Sequence, residues 1–238
     1  METISFSNQK LPALVEEFTL RAREPKVFVV DFLNIHGFSL MLADVNFERA
    51  QRNVDSFVRD GVGLRLIGRF LPIEKLGIRI AGPCFFEAFL KANSNKKHLF
   101  LGGNPRTQQI FETRYGSRSN FEVVPVPFLD VYDGSIDDFA EKVLSTLIAF
   151  DADFVWLGLG CPKQNILAAA LKPKLSRGVI FCVGAAFDYH VGTIRQCPRM
   201  IRWLGIESIW RLSLDPKKIG IRLVVSINIL LRHISLWR

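Results

Sequence analysis

Short runs of Val, Phe and Ile recur along the chain, separated by longer segments of helical period, and nothing else in it restricts the fold as strongly. The runs are KVFVVDF (26–32), HLFLGG (98–103), FEVVPV (121–126), DFVWLGLG (153–160) and GVIFCVG (178–184), with helical segments at about 39–57, 83–95, 105–115, 135–149 and 163–172. Strands apolar on both faces, alternating with helices, predict an α/β fold: a mostly parallel sheet covered by helices on both faces. Asp137 and Asp138 suit the N-terminus of the fourth helix, where the backbone dipole favours negative charge. At 238 residues, 49% of them hydrophobic, the chain can bury one substantial core.

Sheets of this kind collect ligands at the carboxyl ends of their strands. The stretch GLGCPKQN (158–165) reaches that rim, with Pro162 suited to the first helical position and Lys163 and Gln164 following it, so its backbone N–H groups are placed to face an anion. In LFLGGNPRTQ, Gly102 and Gly103 follow a strand directly; they permit a close approach to a nucleotide phosphate or ribose, or they make an ordinary tight turn. Neither the GxGxxG spacing nor a Walker lysine accompanies them, so a dinucleotide cofactor and ATP hydrolysis find no support. Asp60 before Gly61 is a turn signal, and a carboxylate in a cleft also suits a general base. Arg79, between apolar neighbours, must reach the surface or meet an anion such as a diphosphate. Asp188 and His190 read as local caps or surface groups, and His36 is solitary. With no HxxxH, HExxH or DxD arrangement, no dedicated metal cage is expected. Cys84, Cys161, Cys182 and Cys197 form no CxxC pair and read as reduced, mostly buried thiols.

The net charge of +8 is concentrated at one end. From Arg195 onward nine Lys and Arg face only Glu207 and Asp215, a net of +7, which leaves +1 for residues 1–194. The division predicted is an α/β domain over 1–194 and a basic amphipathic segment over 195–238, reading as two helices broken at Asp215–Pro216. In the second, Lys218, Arg222, Ser226 and His233 lie near one stripe beside a broad apolar surface. Together with Trp203, Trp210 and Trp237, this pattern favours a helix lying at an anionic membrane surface over a packed pair with a solvated basic edge. The 13 residues Ile219–Leu231 include Arg222 and fall short of the roughly 20 apolar residues a span needs. No secretion signal opens the chain, so the expected location is cytoplasmic, peripheral on the inner face of the cell membrane. A nucleic-acid partner is disfavoured, because the tail is wider in apolar surface than phosphate tracking needs. A homo-oligomer through the same apolar face is left open.

Taken in order, these motifs resemble the WecG/TagA/CpsF family of glycosyltransferases. The matching stretches are DFLN (31–34), RDGVG (59–63), RIAG (79–82), LGGNP (101–105), GLGCPKQN (158–165), GAAFDYHVG (184–192), RQCP (195–198) and IESIWRL…DPKKIGIR (206–222). The resemblance implies a Rossmann-like domain with a C-terminal helical, membrane-associating appendage. It implies transfer with inversion of a sugar, commonly N-acetylmannosamine or a related hexose, from a UDP-sugar to a polyprenyl-diphosphate-linked saccharide, in cell-surface polysaccharide biosynthesis and without a metal or other cofactor.

By the same resemblance Asp60 is the catalytic base and Asn34 lines the donor or acceptor pocket. Arg79 and Gln164 take motif positions in the site, and Arg211, Lys218 and Arg222 meet the diphosphate. Gly102, Gly103, Lys163 and Asp188 complete the substrate-binding set. The chain departs from the family pattern at Asp31, where Thr is common, at Asn165, where Glu follows the glutamine, and at Lys217 and Lys218, where arginine is usual. Those departures motivate the competing expectation of a catalytically silent nucleotide-sugar or lipid-binding peripheral membrane protein.

Overall fold

A computed structural model describes residues 4–68, 71, 73–127, 129–130, 133–198, 200–201 and 207–236. Among them, six strands form one parallel sheet: β2 (Val27–Leu33), β3 (Ser56–Arg59), β5 (His98–Gly102), β6 (Phe121–Val124), β7 (Phe154–Gly158) and β8 (Gly178–Cys182), in the order β3-β2-β8-β7-β5-β6. β1 (Ile4–Ser5) and β4 (Ile73–Lys75) make a separate parallel pair. The helices are α1 (Leu11–Arg21), α2 (Ile35–Ala43), α3 (Val45–Gln51), α4 (Gly63–Ile67), α5 (Gly82–Ala92), α6 (Pro105–Tyr115), α7 (Ser135–Phe150), α8 (Lys163–Leu171), α9 (Ala186–Val191), α10 (Glu207–Leu214) and α11 (Pro216–Leu236).

Side chains alternate across a strand, and here the alternation sorts by chemistry. Phe28, Phe32, Phe100, Phe154, Trp156 and Phe181 point to one face, where Phe18 of α1, the phenylalanines of α5, Phe111 of α6 and Phe187 of α9 meet them. Val27, Val29, Leu99, Leu101, Val155, Leu157 and Ile180 point to the other, under α7 and α8. Each such side chain, fully buried, contributes about 1.5–3 kcal/mol. One polar group sits inside the aromatic layer. His98, with no exposed surface, receives the Trp156 indole N–H on Nδ1 at 3.1 Å and donates from Nε2 to the Asn93 carbonyl at 2.8 Å. Burial holds this ring neutral, lowering its pKa to about 4.

The expected segment 39–57 is not one helix. Asp44 interrupts it, capping α3 by accepting from the N–H groups of Asn46 and Phe47, and the chain then turns into edge strand β3. The capping carboxylate outcompetes helix continuation because it satisfies two N–H groups that a new helix leaves without partners. α1, on the aromatic face, was absent from the sequence reading.

Two neighbouring strands position the site. β2 and β8 pair in register from Val27↔Gly178 to Asp31↔Cys182. The chain leaving β2 runs through α2 to α3, which packs on α8 at the aliphatic face, whereas the chain leaving β8 enters α9, packed on α5 and α6 at the aromatic face. Adjacent strands whose connections part to opposite faces open a crevice at their carboxyl ends.

Candidate active site

The crevice is real: a cleft of ≈ 650 Å³ out to its open mouth, lined among others by Asp31, Asn34, His36, Asp60, Cys161, Gln164, Gly184, Tyr189 and Arg222. Asp60 stands where the sheet ends. Its N–H donates to the Leu33 carbonyl at 3.0 Å, one step beyond the β2–β3 ladder, and Gly61 then turns with φ +75°, a conformation glycine adopts without strain. The carboxylate is thereby fixed at the wall of the cleft.

Two further motif residues line the cleft but spend their oxygens on backbone. Asn34 caps α2, its Oδ1 accepting from His36 N at 3.0 Å and Gly37 N at 3.1 Å. Gln164 is only 4% exposed, and its Oε1 accepts from Gly160 N at 3.1 Å and Gly184 N at 2.9 Å, tying the loop after β7 to the loop after β8. What either side chain can offer a ligand is its amide N–H₂. α8 begins at Lys163, so Pro162 takes the position before the first helical residue rather than the first itself.

Asp188, Gly102, Gly103, Lys163 and Arg79 are not among the residues that line the cleft. Asp188 is a clasp, its Oδ1 accepting from Asn104 Nδ2 at 2.8 Å and Thr107 Oγ1 at 2.5 Å, which joins α9 to the start of α6. Gly102 and Gly103, both at positive φ, carry the turn between β5 and α6; a Cβ on Gly102 would stand 2.8 Å from the Gly158 backbone. Lys163 faces Asp133. Arg79 pairs through its backbone with Arg59. Burial, with Arg65 and Arg79 nearby, holds the Arg59 guanidinium below its ordinary pKa, so three like charges gather near the end of β3. The side chains of Arg211 and Lys218, together with Trp203 and Trp237, lie outside the described residues. Among the described residues, no three His, Cys, Asp or Glu side chains gather as a metal site.

Arg222 enters from the other end of the chain. α11 crosses α2, burying Ser226 (2% exposed) and Leu230 (5%), and this carries Arg222 over the Gly160 turn, where its Nη2 would lie 3.9 Å from a Cβ on Gly160. Ile221, Leu223, Val224, Val225, Ile227 and Leu231 are left exposed. The helix therefore keeps the broad apolar surface expected of it and departs from the packed pair with a solvated basic edge, the reading the sequence disfavoured. Part of its polar stripe faces protein, and much of its apolar surface faces out. No described helix is long and apolar enough to cross a membrane.

Sequence reading overlooked two lining residues. Asp31, in the middle of an apolar run, is 3% exposed, and burial is the main reason its pKa stands at about 6, against 3.8 ordinarily, with the Asp60 charge adding to the rise. Gln51 Nε2 donates to its Oδ2 at 2.8 Å, and Asn165 lies beside it. Gln51 Oε1 and both polar atoms of the Asn165 amide are buried without a hydrogen-bond partner. A carboxyl hydrogen or an amide at position 31 would have acceptors waiting. A charge inside a central strand was the available signal, since such a group is costly unless paired. His36, the second, receives its own argument below.

The Asp31 environment has a measurable consequence. The folded pKa of about 6 lies above the unfolded 3.8, so the stabilisation is fully present below pH 3.8 and is lost as pH rises through 6. Two units correspond to about 3 kcal/mol at neutral pH. Asp31→Asn removes the ionisable group, keeps the shape and supplies an N–H₂ to the waiting acceptors. It is expected to melt several degrees above the parent at pH 7.5 and level with it at pH 4. Thermal unfolding across that range checks this, and a variant less stable at pH 7.5 contradicts it.

Comparison with known proteins agrees with this geometry. The family model for the glycosyl transferase WecG/TagA/CpsF family matches residues 2–238. A Bacillus spizizenii protein named N-acetylglucosaminyldiphosphoundecaprenol N-acetyl-beta-D-mannosaminyltransferase is 25% identical over 218 residues, covering 90% of this chain and 82% of its own. A Staphylococcus aureus protein of the same name is 28% identical over 165 residues, covering 68% of this chain and 63% of its own.

Proposed function

The chain belongs to the WecG/TagA/CpsF family of glycosyltransferases, and from that premise we propose that it moves an N-acetylmannosamine-type or related hexose, with inversion, from a UDP-sugar to a polyprenyl-diphosphate-linked saccharide. The observation that carries the proposal is the meeting in one cleft of Asp60, from the end of β3, with Arg222, from the C-terminal helix. Displacement at an anomeric carbon needs a group to take the proton from the attacking hydroxyl and positive charge for the departing diphosphate. Asp60 takes the first role and Arg222 the second. The Arg59, Arg65 and Arg79 cluster adds positive potential near the end of β3. The amide nitrogens of Asn34 and Gln164 supply hydrogen-bond donors to the ligand. No metal is required, since fixed cations neutralise the leaving group.

The acceptor's lipid would hold the enzyme at a membrane surface, and the exposed Ile221, Leu223, Val224, Ile227 and Leu231 of α11 give it an apolar face to lay there. Docking and catalysis then share a helix. One experiment tests both: a panel of UDP-sugars is offered with short polyprenyl-diphosphate saccharides in anionic vesicles, product being followed by mass spectrometry and protein by co-sedimentation. Product from one UDP-hexosamine, with protein in the vesicle pellet, is expected. UDP binding without turnover on any acceptor would instead identify a silent nucleotide-sugar-binding protein, the alternative motivated by Asp31 and Asn165.

A further inference from the structure

His36 lines the cleft beside Asn34 and Asp60, and its Nδ1 lies 2.9 Å from the hydroxyl oxygen of Ser226 on α11. Which atom carries the hydrogen follows from Ser226 itself. A serine hydroxyl has one hydrogen, and this one lies 2.7 Å from the Arg222 carbonyl, which can only accept. Ser226 Oγ therefore receives from His36, and Nδ1 is the protonated nitrogen. Burial, and secondarily the Arg222 charge, lowers the His36 pKa to about 4, so the ring is neutral through the ordinary working range. Nε2 is then a bare lone pair, with no hydrogen-bond partner among the described residues.

Apart from the Asp60 carboxylate, assigned above to the attacking hydroxyl, the cleft is short of such groups. Asn34 Oδ1 and Gln164 Oε1 are occupied by backbone N–H groups, Asp31 Oδ2 by Gln51, and Arg222 can only donate. A ligand rich in hydroxyls needs acceptors as well as donors. We propose that His36 Nε2 accepts a hydrogen bond from a hydroxyl of the donor sugar, and that Ser226 of the C-terminal helix fixes the tautomer that lets it do so. The proposal rests on the UDP-sugar reading above and adds a specificity residue to it: His36 reads the sugar, while Arg222, one helical turn before Ser226, addresses the diphosphate.

The tautomer is tested first, without ligand. Long-range proton–nitrogen correlation on ¹⁵N-labelled protein at pH 7.5 is expected to show Nδ1 protonated and Nε2 bare; a protonated Nε2 overturns the proposal. Binding is tested next, on the wild type and two variants. His36→Asn places an amide N–H₂ where Nδ1–H stood, keeping the donor to Ser226 while deleting the acceptor. It is expected to raise the Kd for the UDP-sugar about tenfold, the scale of one neutral hydrogen bond, and to leave the Kd for UDP unchanged. His36→Gln, whose Oε1 reaches the Nε2 position, is expected to recover part of that loss. Equal weakening of UDP and UDP-sugar would make His36 only a brace for Arg222, and no weakening of either would remove it from the site; both outcomes overturn the proposal. If the wild type keeps the expected tautomer but binds no UDP-sugar, the donor reading fails and the sugar contact falls with it.

Discussion

Asparagine in place of Asp60 is expected to lower sugar transfer 10²–10⁴-fold, the range a positioned general base contributes, and to leave UDP affinity within about a factor of three. The substitution is nearly isosteric, and the Asp60 N–H to Leu33 O bond and the left-handed Gly61 both survive it. A loss of rate with unchanged melting and unchanged UDP binding would thus report proton transfer alone. The Asp60 charge adds to the rise of the Asp31 pKa, which places the two carboxyls within electrostatic reach of each other. Transfer by Asp60→Asn within fivefold of the parent would exclude Asp60 as the base.

The sheet was legible because its strands are apolar on both faces, a pattern that neither a surface helix nor a half-solvated strand shares. Val27–Val30 and Val179–Phe181 could hardly be anything but central strands. β3 was not legible: four residues beginning with Ser56 and ending with Arg59 carry no such pattern, and its identity comes from pairing with β2. That Asn34, Asp60, Gln164 and Arg222 come together was recognisable from motif order, and they line one cleft. That Gln164 gives its oxygen to the backbone was not, because one loop it ties, at Gly184, lies 20 residues away. Arg79, Lys163 and Asp188 belong to the same motifs but sit outside the cleft lining. A motif marks what the rim needs in order to fold as well as what touches ligand, and the Asp188 clasp is an instance of the former. The broad apolar surface of α11 was legible from its sequence; that Arg222 and Ser226 face the protein was not, because the His36 that meets Ser226 lies 190 residues away.

Arg222→Met is expected to lower kcat/KM 10²–10³-fold, the scale of removing one preorganised charge stabiliser, with most of the loss in kcat. Methionine keeps the apolar stem and the packing of α11 on α2, so Ser226 and Leu230 stay buried and the cleft keeps its wall. What disappears is the guanidinium over the Gly160 turn. Arg222→Lys should recover only part of the activity, because an ammonium restores charge without the two-pronged fork that matches a diphosphate. The exposed Arg232, on the same helix, provides the control: Arg232→Met should leave soluble-acceptor kinetics within about a factor of two. A second readout separates local charge from general disturbance. Arg222 is one of two causes holding the His36 pKa near 4, the other and larger being burial, so Arg222→Met should raise that pKa while leaving the His98 pKa where it is. If kcat survives Arg222→Met while His36 shifts as described, the guanidinium is in the cleft but does not serve the leaving group. The neutralising charge must then come from elsewhere, the Arg59, Arg65 and Arg79 cluster near the end of β3 being the candidate.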